Sequence, residues 1–336
     1  IMPQNVDAFW DNRYTRMANL VTIKNKAVEA GDPGYNAVAT TLMVVEFREL
    51  VDMFNNVPYT DALQGDQNMT PKYDKGADVY ASLLNDIQGA IDNFGTAIAD
   101  GTYSAPGLKS SDIMFHGDLK AWQRYAYSIK LSLLMRISNV KDVASEVAAI
   151  ADKCLSMDEL VTANPGYYKA SGKMNPTYET WGLSYLDKET SNHKQNVPTA
   201  TFVDALRDNN DPRQRVYLRP RTDMGDDPGI TNYAAFGLEN ERYIGVPFGQ
   251  MAPAGNEFVS TMGYPALCRT SSTVDGPLAD VVVMSGSLVG FYLAEAALRG
   301  MIPGGDAKAQ VYYENAVISA MTMFEASLQD ASINDY

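Results

Sequence analysis

Two stretches hold most of the side chains able to grip a ligand. Asn164 to Asn196 carries Tyr167, Tyr168, Tyr178, Trp181 and Tyr185, and Pro220 to Val274, with Tyr217 just ahead of it, carries Tyr233, Tyr243 and Tyr264. A Tyr or Trp on a loop offers a flat apolar face with a polar edge, the combination that stacks on a sugar ring or grips a peptide. The competing use of such a side chain is to pin a long loop to a core, and for any single residue that use is the commoner one. Trp181, Tyr185, Tyr167, Tyr168 and Tyr178 are the ligand-binding candidates.

Other chemistry finds little support. The histidines are His116 and His193, and neither stands near a second ligand or a nucleophile, so surface or capping roles are expected. Cys154 and Cys268 lie far apart without metal-ligand spacing and read as buried thiols. Asp223, Asp226 and Asp227 in DMGDDPG depart from the calcium-loop pattern and read as a solvated turn. The chain lacks a G-x-S-x-G elbow, an H-E-x-x-H pair, a phosphate-cradling glycine loop and a dinucleotide fingerprint. No catalytic residue, metal or cofactor is assigned. Paired carboxylates for glycoside hydrolysis are defined by spatial separation, so a glycan-degrading enzyme stays open as an alternative.

Charge narrows the partners. Forty-one acids against 27 bases give a net charge of −14, and the bases are scattered, which excludes a phosphate-backbone surface and with it nucleic acid. With 46% apolar and 20% charged residues the chain has the composition of a folded protein. The longest apolar stretch, Val281 to Leu298, is too interrupted by polar residues and glycine to span a membrane.

The elements that must carry the aromatic loops are helices. Asn5 to Ala30 has amphipathic spacing and stops at Gly31-Asp32-Pro33-Gly34. In the next helix Met43, Phe47, Leu50 and Phe54 fall at offsets 0, 4, 7 and 11, and so short a break makes the two antiparallel. Asp74 is the expected N-cap of a third, in which Tyr80, Leu84, Ile87, Ile91 and Phe94 fall at 0, 4, 7, 11 and 14 before Gly95. Asp112 to Ser138 is the most apolar stretch, a turn followed by a helix capped by Asp118. There Trp122, Tyr125, Ala126, Ile129, Leu133 and Ile137 fall at 0, 3, 4, 7, 11 and 15, and the remaining faces are also apolar, so this helix is expected to be covered on several sides. Trp122 is therefore a packing residue, and Lys130 and Arg136 should bury their stems and find polar partners. Shorter helices are expected over Lys141 to Leu155 and Thr199 to Arg207. Ala279 to Arg299 closes on Gly300, and a last helix runs from Asp306 to about Gln329. Small residues in Ala294-Glu295-Ala296-Ala297 facing a Tyr312 to Ala316 segment suit a tetratricopeptide-type helix pair.

The resulting fold class is mostly α: a tetratricopeptide-like helix-pair scaffold with a large loop-rich insertion carrying short strands. One domain is expected over 1–336, its helical scaffold at 5–155 and 279–329 and its loop-rich ligand face at 156–278.

Several runs, in this order, resemble the SusD/RagB family of Bacteroidetes surface lipoproteins. They are VVEFRELVDMFNNVPYTDAL, PKYDKGADVYASLLNDIQGAIDNF, GD-x-x-x-W followed by IKLSLLMRIS, DNNDPR, YIGVPFG, and FYLAEAALRG with YYENAV. The resemblance spans about residues 40 to 325. It implies a tetratricopeptide-type scaffold tethered by a lipid to the outer membrane and facing outward. It also implies a SusC-like TonB-dependent barrel as partner, over which such proteins act as a lid that captures oligosaccharides, or peptides in some members. No catalysis is expected, and a purely structural helical-repeat adaptor is the remaining alternative. The matched runs are scaffold, so they do not carry over ligand contacts. Members of the family begin at a lipidated cysteine and continue past the last helix, so the resemblance implies further residues at both ends.

Overall fold

The structure, a computed structural model, describes residues 4–101, 105–211, 213–219, 243–250, 261–262 and 276–323. In chain order the helices begin with α1 (Gln4–Ala30), α2 (Pro33–Phe54), α3 (Gly76–Asp100), α4 (Ala105–Ser111), α5 (Leu119–Ile137) and α6 (Ala144–Ile150). Then come β1 (Leu160–Ala163), α7 (Pro176–Trp181), α8 (Ser191–Gln195), α9 (Ala200–Asp208), α10 (Gln214–Tyr217), β2 (Leu218–Arg219) and β3 (Thr261–Met262). The last are β4 (Val281–Ser285), α11 (Gly286–Leu298) and α12 (Gly305–Thr322). The chain is mostly helical and divides into two compact units, Ile1–Glu159 with Leu288–Tyr313, and Leu160–Ser287 with Glu314–Tyr336.

In the helical unit α1 packs on α2, α2 on α3, and α3 on α5. The reason lies in the apolar stripes. α3 buries Val79, Leu83, Ile87, Ile91 and Phe94 on one face, and α5 buries residues on nearly every side, among them Trp122, Tyr125, Ile129, Leu131 and Leu133. Asp118 caps α5, accepting from Lys120 N at 2.9 Å and Ala121 N at 3.0 Å. The turn ahead of it is wound around Asp112, whose carboxylate accepts from Met114 N, Phe115 N, Gly117 N and Trp122 Nε1. His116 and Gly117 take left-handed backbone there, at φ 51° and 85°. Trp122 is thus a core residue, stacked on Phe94. Lys130 donates to Gln88 Oε1 and Arg136 reaches toward Asp52, as their snorkelling stems require.

Two expectations are corrected in this unit. Asp74 does not cap α3. Lys75 holds that position without a side-chain bond, while Asp74 accepts from Tyr59 N, Thr60 N and the Thr60 hydroxyl. α3 also runs through Gly95 to Asp100 and ends on left-handed Gly101. An internal glycine costs a helix about 1 kcal/mol, which the burial of Phe94 and Ala97 on the same face outweighs.

In the second unit β1 and β4 pair antiparallel, Leu160 opposite Ser285 and Ala163 opposite Val281, with a register shift between Val161 and Thr162. Reading Ala279 to Arg299 as one helix is therefore corrected. Its first part is strand, because Val281, Val282 and Val283 are β-branched and find a partner strand in β1. α11 starts only at Gly286, and Gly300, at φ 71°, ends that segment as expected. α9 follows its expected course, with the Thr199 hydroxyl accepting from Phe202 N. It sets Val203 and Leu206 against Leu218, Tyr217 and Tyr243 in a small core. α12 closes at Thr322; the expected continuation to Gln329 lies outside the described residues beyond Met323, as do the DMGDDPG turn, Tyr233, Tyr264 and Cys268. Cys154 is buried, and burial pushes its thiol up to about 12.

Candidate functional site

The expected ligand aromatics all sit in the second unit, on segments fastened by polar side chains. Asn175 is the hub and is 1% exposed. Its Oδ1 accepts from Thr177 N at 2.9 Å and Tyr178 N at 3.1 Å, capping α7, and its Nδ2 donates to Ala279 O at 2.9 Å and Asp280 O at 3.3 Å. Its own backbone N–H donates to Pro277 O at 2.7 Å. Asn164 works in parallel. Its Nδ2 donates to Asp280 Oδ1 at 2.8 Å and to Leu278 O, and its Oδ1 accepts from Gly166 N and Tyr167 N. Thr162 donates to the other Asp280 oxygen. β4 and the turn before it are thus the anchor for everything between Thr162 and Tyr178.

From that anchor two turns project. In the first, Tyr168 N donates to Lys173 O, Lys173 N to Ala170 O, and Gly172 N to Glu179 Oε1. In the second, Leu183 bridges Glu189, Ser184 N donates to Lys188 O, and Asp187 N donates to Ser184 O. Asp187 turns the corner at φ 57°, a left-handed conformation that Asp tolerates better than most residues. Tyr168 in the first turn is 55% exposed, and Tyr185 in the second is 43% exposed. Lys169 Nζ joins the turns, lying 2.7 and 2.8 Å from the two Asp187 oxygens.

Trp181 ends α7 and is 36% exposed. The last carbonyls of that helix, orphaned by its short length, are taken by the start of α8. The Thr190 hydroxyl donates to Thr180 O, Thr190 N to Gly182 O, and the His193 ring, at Nδ1, to Trp181 O at 2.8 Å. Of the surface or capping roles expected for His193 the structure shows the second: the residue is buried and its ring caps the end of α7.

Tyr178 is corrected as well. It is 8% exposed, and Gly276 sits so close that a Cβ there would lie 2.4 Å from Tyr178 Cε2. This ring packs against Gly276 and is withdrawn from the surface. Tyr167 is half-buried, and Tyr168, Tyr185 and Trp181 remain the exposed set. Phe248 was missed. It stands at the tip of the turn in which Gln250 N donates to Pro247 O, and is 93% exposed. Its place in YIGVPFG suggested scaffold; the signal that could have found it is Pro247-Phe248-Gly249, a turn with an aromatic at its tip.

In the helical unit a groove of about 460 Å³ lies between α2, α3 and α5. There Tyr80 donates to Asp52, and Arg136 Nε is 3.6 Å from the same carboxylate. Among the described residues no group of three His, Cys, Asp or Glu is placed to hold a metal ion, and no helix is long and apolar enough to cross a membrane.

The chain is thus mostly helical, with Tyr168, Tyr185 and Trp181 exposed in a unit pinned by polar side chains. The chain belongs to the SusD-like family, described as starch-binding associating with outer membrane, whose model matches residues 1–336. Solved structures share the fold. A SusD homolog from Bacteroides vulgatus is 22% identical, with a TM-score of 0.66 over 90% of this chain and 54% of that one. A chitin-binding protein is 25% identical, with a TM-score of 0.72 over 98% and 66%. A chitin-binding SusD homolog from Flavobacterium johnsoniae is 22% identical, with a TM-score of 0.70 over 95% and 58%. The chain therefore spans 54% to 66% of the length of these three structures. No curated protein matches it.

Proposed function

We propose that the protein captures oligosaccharides at the outer face of the outer membrane and acts by binding, without catalysis. In this reading a lipid holds it to the membrane, and a SusC-like TonB-dependent barrel receives the cargo. Family membership supports the outer-membrane setting, and two structural neighbours bind chitin. The observation that carries the reading is the display of Tyr168, Tyr185 and Trp181 on turns fixed from below by buried polar groups. Each ring thus sits on a turn whose own shape is set before any ligand arrives, which lowers the ordering entropy that stacking must offset.

Titration calorimetry with chitohexaose and maltoheptaose tests it. A ring stacked on a sugar is worth about 1 kcal/mol, so changing Trp181 and Tyr185 together to Ala should weaken binding roughly tenfold to thirtyfold. Unchanged affinity in that double variant would remove the site from these residues. Failure of both sugars beside saturable binding of a peptide would transfer the role to oligopeptides. Copurification of the full-length protein with a large barrel checks the partner.

A further inference from the structure

We propose that Lys169 and Asp187 are the positioning residues of this site, a latch between its two aromatic turns that makes capture of an uncharged sugar sensitive to salt. The inference rests on the reading of Tyr168 and Tyr185 as ligand contacts. Tyr168 directly precedes Lys169, and Tyr185 lies two residues before Asp187, so the ion pair fixes the turn carrying one ring to the turn carrying the other. Each turn closes on its own backbone bonds, Tyr168 to Lys173 and Ser184 to Lys188. Those bonds set the shape of each turn. Gly172 N to Glu179 Oε1 and the Thr190 hydroxyl to Thr180 O tie the bases of the turns to α7, and the Lys169–Asp187 pair is the side-chain link between the projecting turns themselves. The ammonium lies within hydrogen-bond distance of both carboxylate oxygens, which sets the distance between the turns, an ammonium being a point charge without a fixed fork of donors.

The latch is weak by construction. The two side chains are 41% and 65% exposed, and exposed ion pairs are screened within about 10 Å at ordinary salt. The joined and separated arrangements are therefore close in free energy. A ligand that needs both rings together binds in proportion to the fraction joined. Stacking of an uncharged sugar on aromatic rings has no salt dependence of its own, so any that appears reports the latch. Its loss should lower affinity about threefold, and no more than about fivefold.

Lys169→Met, Asp187→Asn and the double variant test this in the full chain, Asn being chosen because it tolerates the left-handed backbone. Amide exchange gives the ligand-free readout. Lys169→Met should speed exchange at the Asp187 and Ser184 amides, across the pair from the substitution, and Asp187→Asn should do so at Tyr168 and Lys173. Chitohexaose and maltoheptaose affinities give the second readout. Each single variant and the double should lose the same factor, and wild-type affinity alone should fall between about 20 mM and about 500 mM salt. Unchanged exchange in the opposite turn overturns the proposal. So do additive losses of affinity, which would mean that the two residues touch the sugar separately. If Tyr168→Ala and Tyr185→Ala abolish binding while the latch variants bind normally, the latch alone fails. If the tyrosine variants bind normally, the reading of the site fails and takes the latch with it.

Discussion

Replacing Asn175 with Ala should loosen the loop unit more than any change to its exposed rings. The carboxamide caps α7 through two backbone N–H groups, and loss of such a cap costs about 1 kcal/mol. It also donates to Ala279 O, in a residue buried to 0% exposure. A buried carbonyl left without its donor costs about 1–3 kcal/mol. The sum is about 3 kcal/mol, equivalent to roughly a hundredfold faster amide exchange through local opening. Exchange measured residue by residue in α7, β1 and β4 checks this, with α3 and α5 as unaffected references. Asn175→Ser restores the cap but not the donor and should recover about 1 kcal/mol. Asn175→Asp keeps the cap yet turns a carboxylate toward two carbonyls, so it should be no better than Ala. An Ala variant whose α7 amides exchange within about threefold of wild type would refute the reasoning, because the hub would then carry less than a surface contact.

Gly276→Ala should destabilise the same unit by about 1–3 kcal/mol, since the added Cβ would lie 2.4 Å and 2.8 Å from two atoms of the Tyr178 ring. Thermal melts check it, and Tyr178→Ala combined with Gly276→Ala should lose less than the sum of the two. The helical unit should weaken in alkali. Burial raises Cys154 from 9.0 and Tyr125 from 10.0, each to about 12. Both groups hold their protons more tightly when folded, so their contribution is complete below about pH 9 and lost as pH climbs toward 12. Melting temperatures across that range, with tyrosinate absorbance followed alongside, should show the decline, and flat melting temperatures to pH 11 would contradict it.

The helical unit was legible because its information is local. α2, α3 and α5 announce themselves by stripes that one window of sequence contains, and Asp118 sits where a cap must sit. The loop unit was not, because its contacts are distant. Asn175 bonds Ala279 across 104 positions and Asn164 bonds Asp280 across 116. β4 reads as the start of a helix until its partner β1 is known. Within α7, six residues long, no period distinguishes Tyr178 from Trp181. Packing beneath Gly276, also distant in sequence, turns one inward and leaves the other outward. Composition therefore identified the aromatic loop, and only geometry sorted its rings.

That sorting follows from how the unit is held. A loop fixed mainly by apolar burial would draw its large rings inward, each buried aromatic adding a few kcal/mol. Here the fastening is given to Asn164, Asn175, Thr190, His193 and Asp280, whose bonds constrain backbone and need no ring. One ring, Tyr178, is used for packing, Tyr167 is half-buried, and Tyr168, Tyr185 and Trp181 stand exposed. Polar pinning also has a consequence for change. Substituting Tyr168, Tyr185 or Trp181 should alter what is bound with little effect on stability, whereas substituting the pins should do the reverse. Exposed rings held in this way can vary without refolding the turns that carry them.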